Sequence, residues 1–250
     1  MKNIKLQVMN INEIELNLSI LASQDAHIYY FDIRNFSLYV EQFYCLLSNE
    51  EKTNAHSFFY KKDEERYILA RGMLRKLLSN YLEISCEQIN FGYNKYGRPY
   101  LLNSNAVQFN VSHSKDIVLF GIAKHYLIGV DLECIDKNLE FDAISERFFH
   151  KNEHDILRKF DMPKKREVFF NFWVIKEAFA KAIGLGLNYN IANIEVSLTE
   201  ENKYRIAVLH DPNETLLNWS LFSLDIKPDY ALAIAIKGPS PTILINKIEL

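Results

Sequence analysis

The chain is short of the residues that break or staple a fold. Its 250 residues include 8 glycines and 6 prolines, too few for a collagenous, linker-rich or disordered protein. The three cysteines, Cys45, Cys86 and Cys134, lie far apart with no C-x-x-C pair, which argues against a cysteine zinc site or a disulfide framework. No apolar run approaches the ~20 residues that cross a bilayer; Ile117 to Ala123 is among the longest. The opening residues Met1-Lys2-Asn3-Ile4-Lys5 show no apolar signal core, so a cytoplasmic protein with no membrane partner is expected. A basic surplus is missing as well. Lys and Arg number 29 against 32 Asp and Glu, a formal charge of −3, and a nucleic-acid binder is disfavoured.

What remains is ordinary soluble composition, 48% hydrophobic and 24% charged, in a chain long enough to bury a sizeable core. Local basic clusters can still hold a small phosphorylated ligand. The sequence carries an internal echo. Phe58-Phe59-Tyr60-Lys61-Lys62-Asp63-Glu64 precedes a helical stretch from Glu65 to Tyr81, with Tyr67, Ala70, Leu74, Leu77, Leu78 and Tyr81 at helical spacing. Phe148-Phe149-His150-Lys151-Asn152-Glu153 precedes a second stretch, Val168 to Ile183, which stops at Gly184-Leu185-Gly186. Each half then reaches an apolar strand, Ile117 to Ala123 and Tyr230 to Ile236. The expected architecture is α+β in two halves, 1–124 and 125–250.

Two motifs carry chemistry. Leu127-Ile128-Gly129-Val130-Asp131-Leu132-Glu133 reads as a strand, so Asp131 and Glu133 share a face about 7 Å apart and make half of a hard-cation site for Mg²⁺. Alone, that pattern more often marks a solvated acidic edge strand. The second motif is Trp173-Val174-Ile175-Lys176-Glu177-Ala178-Phe179-Ala180-Lys181, which places Trp173, Glu177 and Lys181 on one helical stripe. Phe169, Phe170, Phe172, Phe179 and Ile183 make that helix apolar nearly all round. Its charges are therefore expected to be partly buried and to need a metal or phosphate partner. Ser112-His113, expected in a loop after the strand Val107 to Val111, offers phosphate donors. Arg98 sits between Gly97 and Pro99 in a turn that can present it to a ligand. Arg66 and Arg71 lie about 140° apart around the first helix and share no stripe.

Taken in order, Phe109-Asn110-Val111-Ser112-His113-Ser114, Ile128-Gly129-Val130-Asp131-Leu132-Glu133 and Phe172-Trp173-x-x-Lys176-Glu177-Ala178-x-x-x-Lys181 resemble the 4′-phosphopantetheinyl transferases of the Sfp type. The Gly97-Arg98-Pro99 turn lies upstream, and Arg147-Phe148-Phe149-x-Lys151 lies between the last two motifs. The resemblance covers roughly Phe58 to Leu187. It implies two pseudo-symmetric α+β halves with the site in the cleft between them, in a monomer. It implies transfer of phosphopantetheine from coenzyme A to a serine of an acyl or peptidyl carrier protein, with release of 3′,5′-ADP. By this likeness Asp131, Glu133 and Glu177 hold Mg²⁺ (or Mn²⁺), and Lys181 neutralises the breaking diphosphate. Ser112, His113 and Arg66 contact the phosphates of coenzyme A, Arg98 and Pro99 lie beside the adenine, and Lys52 and Arg71 are further contacts. Arg98 stands where relatives usually carry Lys, a change of donor geometry at constant charge.

The serine proton needs an acceptor, with Glu177 the first choice and Glu153 the second; whether Glu177 is metal ligand or base stays open at this level. A metal-dependent nuclease is disfavoured, because Cys134-Ile135 follow Glu133 with no Lys at the needed step. A degenerate relative that binds coenzyme A or a carrier without turnover is the other alternative.

Overall fold

Near-continuous apolar burial along the central strands builds two sheets that face each other across a shared core. The computed structural model describes residues 4–11, 25–199, 201, 203–238 and 241–250; residues 1–3, read above for a signal core, lie outside them. The first half contains β1 (Ile4–Asn10), β2 (Asp25–Asp32), α1 (Val40–Cys45), α2 (Asn49–His56), α3 (Lys61–Leu82), β3 (Phe91–Tyr93), β4 (Pro99–Leu101), β5 (Val107–Ser114) and β6 (Ile117–Lys124). The second contains β7 (Leu127–Cys134), α4 (Asp142–Phe148), α5 (Lys151–Leu157), α6 (Lys164–Ala182), β8 (Ile194–Leu198), β9 (Tyr204–Leu209), β10 (Trp219–Leu224), β11 (Tyr230–Lys237) and β12 (Thr242–Glu249). The fold is α+β, as expected. No helix among the described residues is long and apolar enough to cross a membrane.

The echo has a topological counterpart. In the first half a strand, a long helix and a hairpin give the order β5-β6-β2, and in the second the same plan gives β10-β11-β7. All of these pairings are antiparallel. The two sheets meet face to face through Ile28, Leu119, Ile128, Val130, Leu132, Leu232 and Ile234, all fully buried. Residues of opposite parity point outward, Phe120 and Ile122 toward the α3 side and Ala231, Ala233 and Ala235 toward α6. The result is four layers, helix–sheet–sheet–helix, with the strands β2, β6, β7 and β11 buried on both faces. One strand crosses the plan: β12 returns to the first sheet and lies parallel to both β1 and β2.

Gly129 sets the seat of α6. An ideal Cβ there would lie 2.0 Å from the Ala178 carbonyl oxygen and 2.4 Å from the Ala182 nitrogen. Helix backbone cannot yield as a flexible side chain can, so only glycine lets α6 lie this close to β7. Gly129→Ala is expected to cost about 3 kcal/mol, at the upper end of ordinary overpacking, and to displace the side chains that α6 carries. Urea unfolding checks this; a wild-type midpoint would show that α6 is not pinned at Gly129.

Candidate active site

β7 is an edge strand of its sheet, yet its backbone is not left bare. Asn110 Oδ1 accepts from the Val130 N–H at 2.9 Å, Ser112 Oγ from Leu132 at 3.3 Å and Ser114 Oγ from Cys134 at 3.0 Å. Three short polar side chains at every second position of β5 thus take the place of a paired strand and stitch the two halves together. This corrects one expectation: Ser112 and His113 lie within β5, not in a loop, because the strand continues as long as those side chains have β7 to bond.

The same hydroxyls aim the carboxylates. Ser112 donates to Asp131 Oδ1 at 2.9 Å and Ser114 to Glu133 Oε2 at 2.8 Å. From α6, Lys181 Nζ reaches Asp131 Oδ1 at 2.6 Å and Ser112 Oγ at 3.0 Å. The ammonium therefore crosses to β7 rather than pairing with Glu177 one turn away on its own helix. Glu177 is left with a buried Oε1 lacking any hydrogen-bond partner, and Asp131 Oδ2 is in the same condition. Burial first, then the nearby Asp131 and Glu133 charges, push the Glu177 carboxyl up to about 7 against the pull of Lys181. Glu133 is raised by burial and by Asp131, with Ser114 and Lys181 opposing.

Two orphaned buried carboxylate oxygens beside a third acid call for a cation. The set is all oxygen, the donor type of Mg²⁺. One oxygen on each of Asp131 and Glu133 is held by a serine, and the three carboxylates do not gather within 4.8 Å of one another. An ion that keeps several waters and takes only one or two carboxylates directly fits such a spread set.

In the metal-free protein, Glu177 carries a penalty whose sign is fixed. Its folded pKa lies near 7 against an ordinary 4.5, so the folded state holds the proton more tightly and stability falls as pH rises from about 4.5 to 7. Glu177→Gln removes that penalty. In EDTA the variant is expected to be more stable than wild type by about 2–3 kcal/mol at pH 8, with the advantage gone at pH 5. Denaturant unfolding at both pH values checks it; equal stability at pH 8 would show a solvated Glu177.

Two hollows flank the cluster. One of about 300 Å³, mostly apolar, is lined by Glu133, Ser114, Leu139, Phe170 and Trp173 among others. The other, of about 210 Å³, lies among Tyr96, Arg98, Pro99, Asn110, Lys181 and Gly184. Arg98 frames it by closing the end of α6: Nη1 donates to the Ala182 carbonyl at 2.6 Å, and Asn94 Nδ2 donates to the Gly184 carbonyl at 2.7 Å. Burial lowers the Arg98 guanidinium. On the opposite face of β5, His113 is lowered by lost hydration and by the Arg66 and Lys181 charges. Arg66 itself pairs with Asp63 at 2.7 Å.

The remaining candidates go elsewhere. Arg71 binds Glu51 at 2.5 Å and the Tyr93 hydroxyl at 2.7 Å, with its guanidinium 3.8 Å from the Phe91 ring centre. Arg75, which no sequence motif singles out, shares that carboxylate at 2.6 Å. Burial opposes ionisation of Glu51, but Arg75 and Arg71 hold its carboxyl below the usual range. Lys52 sits 5.2 Å over the Tyr44 ring. Glu153 is excluded as a base: it is fully buried and ion-paired to Lys176 at 2.8 Å.

Known proteins match both halves. A family model described as the 4′-phosphopantetheinyl transferase superfamily matches residues 127–235, and one described as 4′-phosphopantetheinyl transferase, N-terminal, matches residues 37–124. The 4′-phosphopantetheinyl transferase psf-1 of Bacillus pumilus is 30% identical over 210 residues, spanning 84% of this chain and 87% of that one. The 4′-phosphopantetheinyl transferase HetI of a Nostoc species is 28% identical over 89% of this chain and 91% of its own. The 4′-phosphopantetheinyl transferase Sfp of Bacillus subtilis is 26% identical over 80% and 86%. Matched in order through both halves and along most of its length, the chain belongs to the 4′-phosphopantetheinyl transferases and is an enzyme of the Sfp type.

Proposed function

We propose that this enzyme moves the 4′-phosphopantetheine group of coenzyme A onto a serine hydroxyl of an apo acyl or peptidyl carrier protein, with Mg²⁺, and releases 3′,5′-ADP. The observation that carries the reading is the pair of orphaned buried oxygens, Asp131 Oδ2 and Glu177 Oε1, beside a Lys181 that is itself fixed by Asp131 and Ser112. Asp131, Glu133 and Glu177 would hold Mg²⁺, which when bound supplies charge neutralisation for the pyrophosphate. Phosphoryl transfer rests on positioning and on neutralising charge, and this chain's residues are arranged for both.

The serine oxygen bonds to the phosphorus of the pantetheine phosphate as the bond from that phosphorus to the bridging oxygen breaks. Lys181 stands to neutralise the departing 3′,5′-ADP. The serine proton passes to a carboxylate, directly or through water. Glu177 is the acceptor when it holds the ion through water and not directly: its carboxyl is raised to about 7, so its ionised form is a stronger base than an ordinary carboxylate near neutral pH. Ser112 and Ser114 are positioning residues here, since their hydroxyls are spent on Asp131, Glu133 and the β7 backbone. The hollow bounded by Arg98, Pro99 and Lys181 suits the nucleotide end, with His113 and Arg66 toward its phosphates. The apolar hollow beside Glu133 and Trp173 suits the pantetheine end and the incoming serine. We place the reaction in the cytoplasm, with a monomeric enzyme.

Intact mass of an apo carrier protein incubated with the enzyme, coenzyme A and Mg²⁺ tests this. A gain of one phosphopantetheine group per carrier, abolished by EDTA, is expected. Bound coenzyme A without any gain across several unrelated carriers would leave a binding protein rather than a transferase.

A further inference from the structure

We infer that the second half carries a zinc site distinct from the carboxylate cluster, built from His150, Glu195 and His210. Among the described residues, only these three bring metal-binding atoms of three such side chains within 4.8 Å of one another. They come from three segments. His150 caps the N-terminus of α5, Glu195 lies on β8, and His210 directly follows β9, where its N–H bonds the Asn193 carbonyl at 2.8 Å.

The distances leave room for an ion. Glu195 Oε2 stands 3.2 Å from His150 Nδ1 and 3.7 Å from His210 Nε2. Charge-assisted N–H to carboxylate bonds run shorter, about 2.7–2.9 Å. A tetrahedral zinc with bonds of about 2.0–2.1 Å separates its ligand atoms by roughly 3.4 Å, between the two observed values. The Asn152 N–H lies 3.4 Å from His150 Nδ1, a long contact that the ion would replace at that nitrogen's single lone pair. The carboxylate is already oriented toward such an ion. Asn152 Nδ2 donates to Oε1 at 2.7 Å, leaving Oε2 turned to both imidazoles. Such outer-sphere support is usual around metal ligands.

Glu195 is only 8% exposed, and its burial calls for a positive partner. The nearby Lys176 ammonium is held by Glu153. The His210 side chain is 47% exposed, which gives entry to the ion and leaves a fourth position for water. Two imidazoles and one carboxylate suit zinc and not Mg²⁺, which prefers oxygen throughout. The ion acts as a clip. It joins α5 to the β8–β9 hairpin, around the same core that buries the back of α6, and takes no part in transfer.

The full-length protein, stripped with EDTA and returned to saturating Mg²⁺ to fill the carboxylates, should take up one equivalent of Zn²⁺ in a calorimetric titration. At about a hundredfold excess over Kd, the melting temperature should rise by about 5 °C or more. His210→Ala, at a half-exposed position, should weaken zinc binding about tenfold or more while leaving Mg²⁺-dependent transfer unchanged. Glu195→Gln should weaken it likewise, and Co²⁺ bound in place of zinc should show visible ligand-field bands that His210→Ala loses. No zinc uptake in the presence of Mg²⁺, or equal uptake by wild type and His210→Ala, would overturn the assignment.

Discussion

Replacing Asp131 by asparagine is expected to lower the rate of phosphopantetheine transfer on the order of 10³-fold, while the protein stays folded. The magnitude follows from what converges on one carboxylate. Its Oδ1 takes the Lys181 ammonium and the Ser112 hydroxyl, and its Oδ2 is buried without a partner. Removing the charge therefore weakens the proposed cation site and at the same time releases Lys181 from its aim. Loss of a single preorganised electrostatic contact in a desolvated site typically costs about 10²–10³ in rate, and here two are coupled. Asparagine keeps the Oδ1 acceptor for Ser112, so the stitch between β5 and β7 survives and the unfolding midpoint should move little. Single-turnover transfer to an apo carrier over a range of Mg²⁺ concentrations is the measurement. Near-normal turnover at ordinary Mg²⁺ would move the metal away from Asp131. A rate restored fully by high Mg²⁺ would limit Asp131 to affinity and leave Lys181 correctly placed without it. Lys181→Ala, by contrast, should lower the maximal rate at every Mg²⁺ concentration.

The part of this site visible in the sequence is the part written in local periodicity. Asp131 and Glu133 share a face because strand side chains alternate, and Glu177 and Lys181 share a stripe because helical neighbours recur at four. Spacing alone does not supply the protein partner of Lys181, whose helical neighbour Glu177 is one turn away. The actual partner is Asp131, fifty residues earlier, and that choice depends on how closely α6 approaches β7 over Gly129. Polar residues ending an apolar run suggest a loop at Ser112 and His113. The run continues as strand because Asn110, Ser112 and Ser114 satisfy a neighbouring backbone edge, a service that apolar periodicity alone does not announce. An alternation of three short polar residues inside an apolar strand is nonetheless present, and it is the signal that points to the strand. Similarly, β12 is an apolar alternating strand whose parallel place between β1 and β2 follows from long-range pairing alone.

Lys176 shows the same limit from the other side, and it supports the largest expected effect on stability. Set in the motif beside Glu177, it lies wholly inside the second half, its ammonium 2.8 Å from Glu153 Oε2, 3.1 Å from the Ile191 carbonyl and 2.5 Å from that of Ile194. Both side chains are fully buried. Burial lowers the lysine and raises the glutamate, and each opposes the other's shift. Glu153 also accepts the backbone N–H groups of His150 and Val196, so this one pair ties α6 to α5 and β8. Lys176→Met leaves a buried carboxylate without its cation, which should cost about 3–5 kcal/mol, read by urea unfolding at pH 7. Glu153 in that variant must take up a proton to stay buried, so the loss should shrink as pH falls toward the glutamate's raised folded value. Adding Glu153→Gln removes the stranded charge but keeps an acceptor for one backbone N–H, and should recover more than half of the loss. The recovery separates a buried ion pair from simple loss of packing. If the double variant is no more stable than Lys176→Met alone, the cost lies in the carbonyls of Ile191 and Ile194 that the lysine had satisfied, and the pair contributes little.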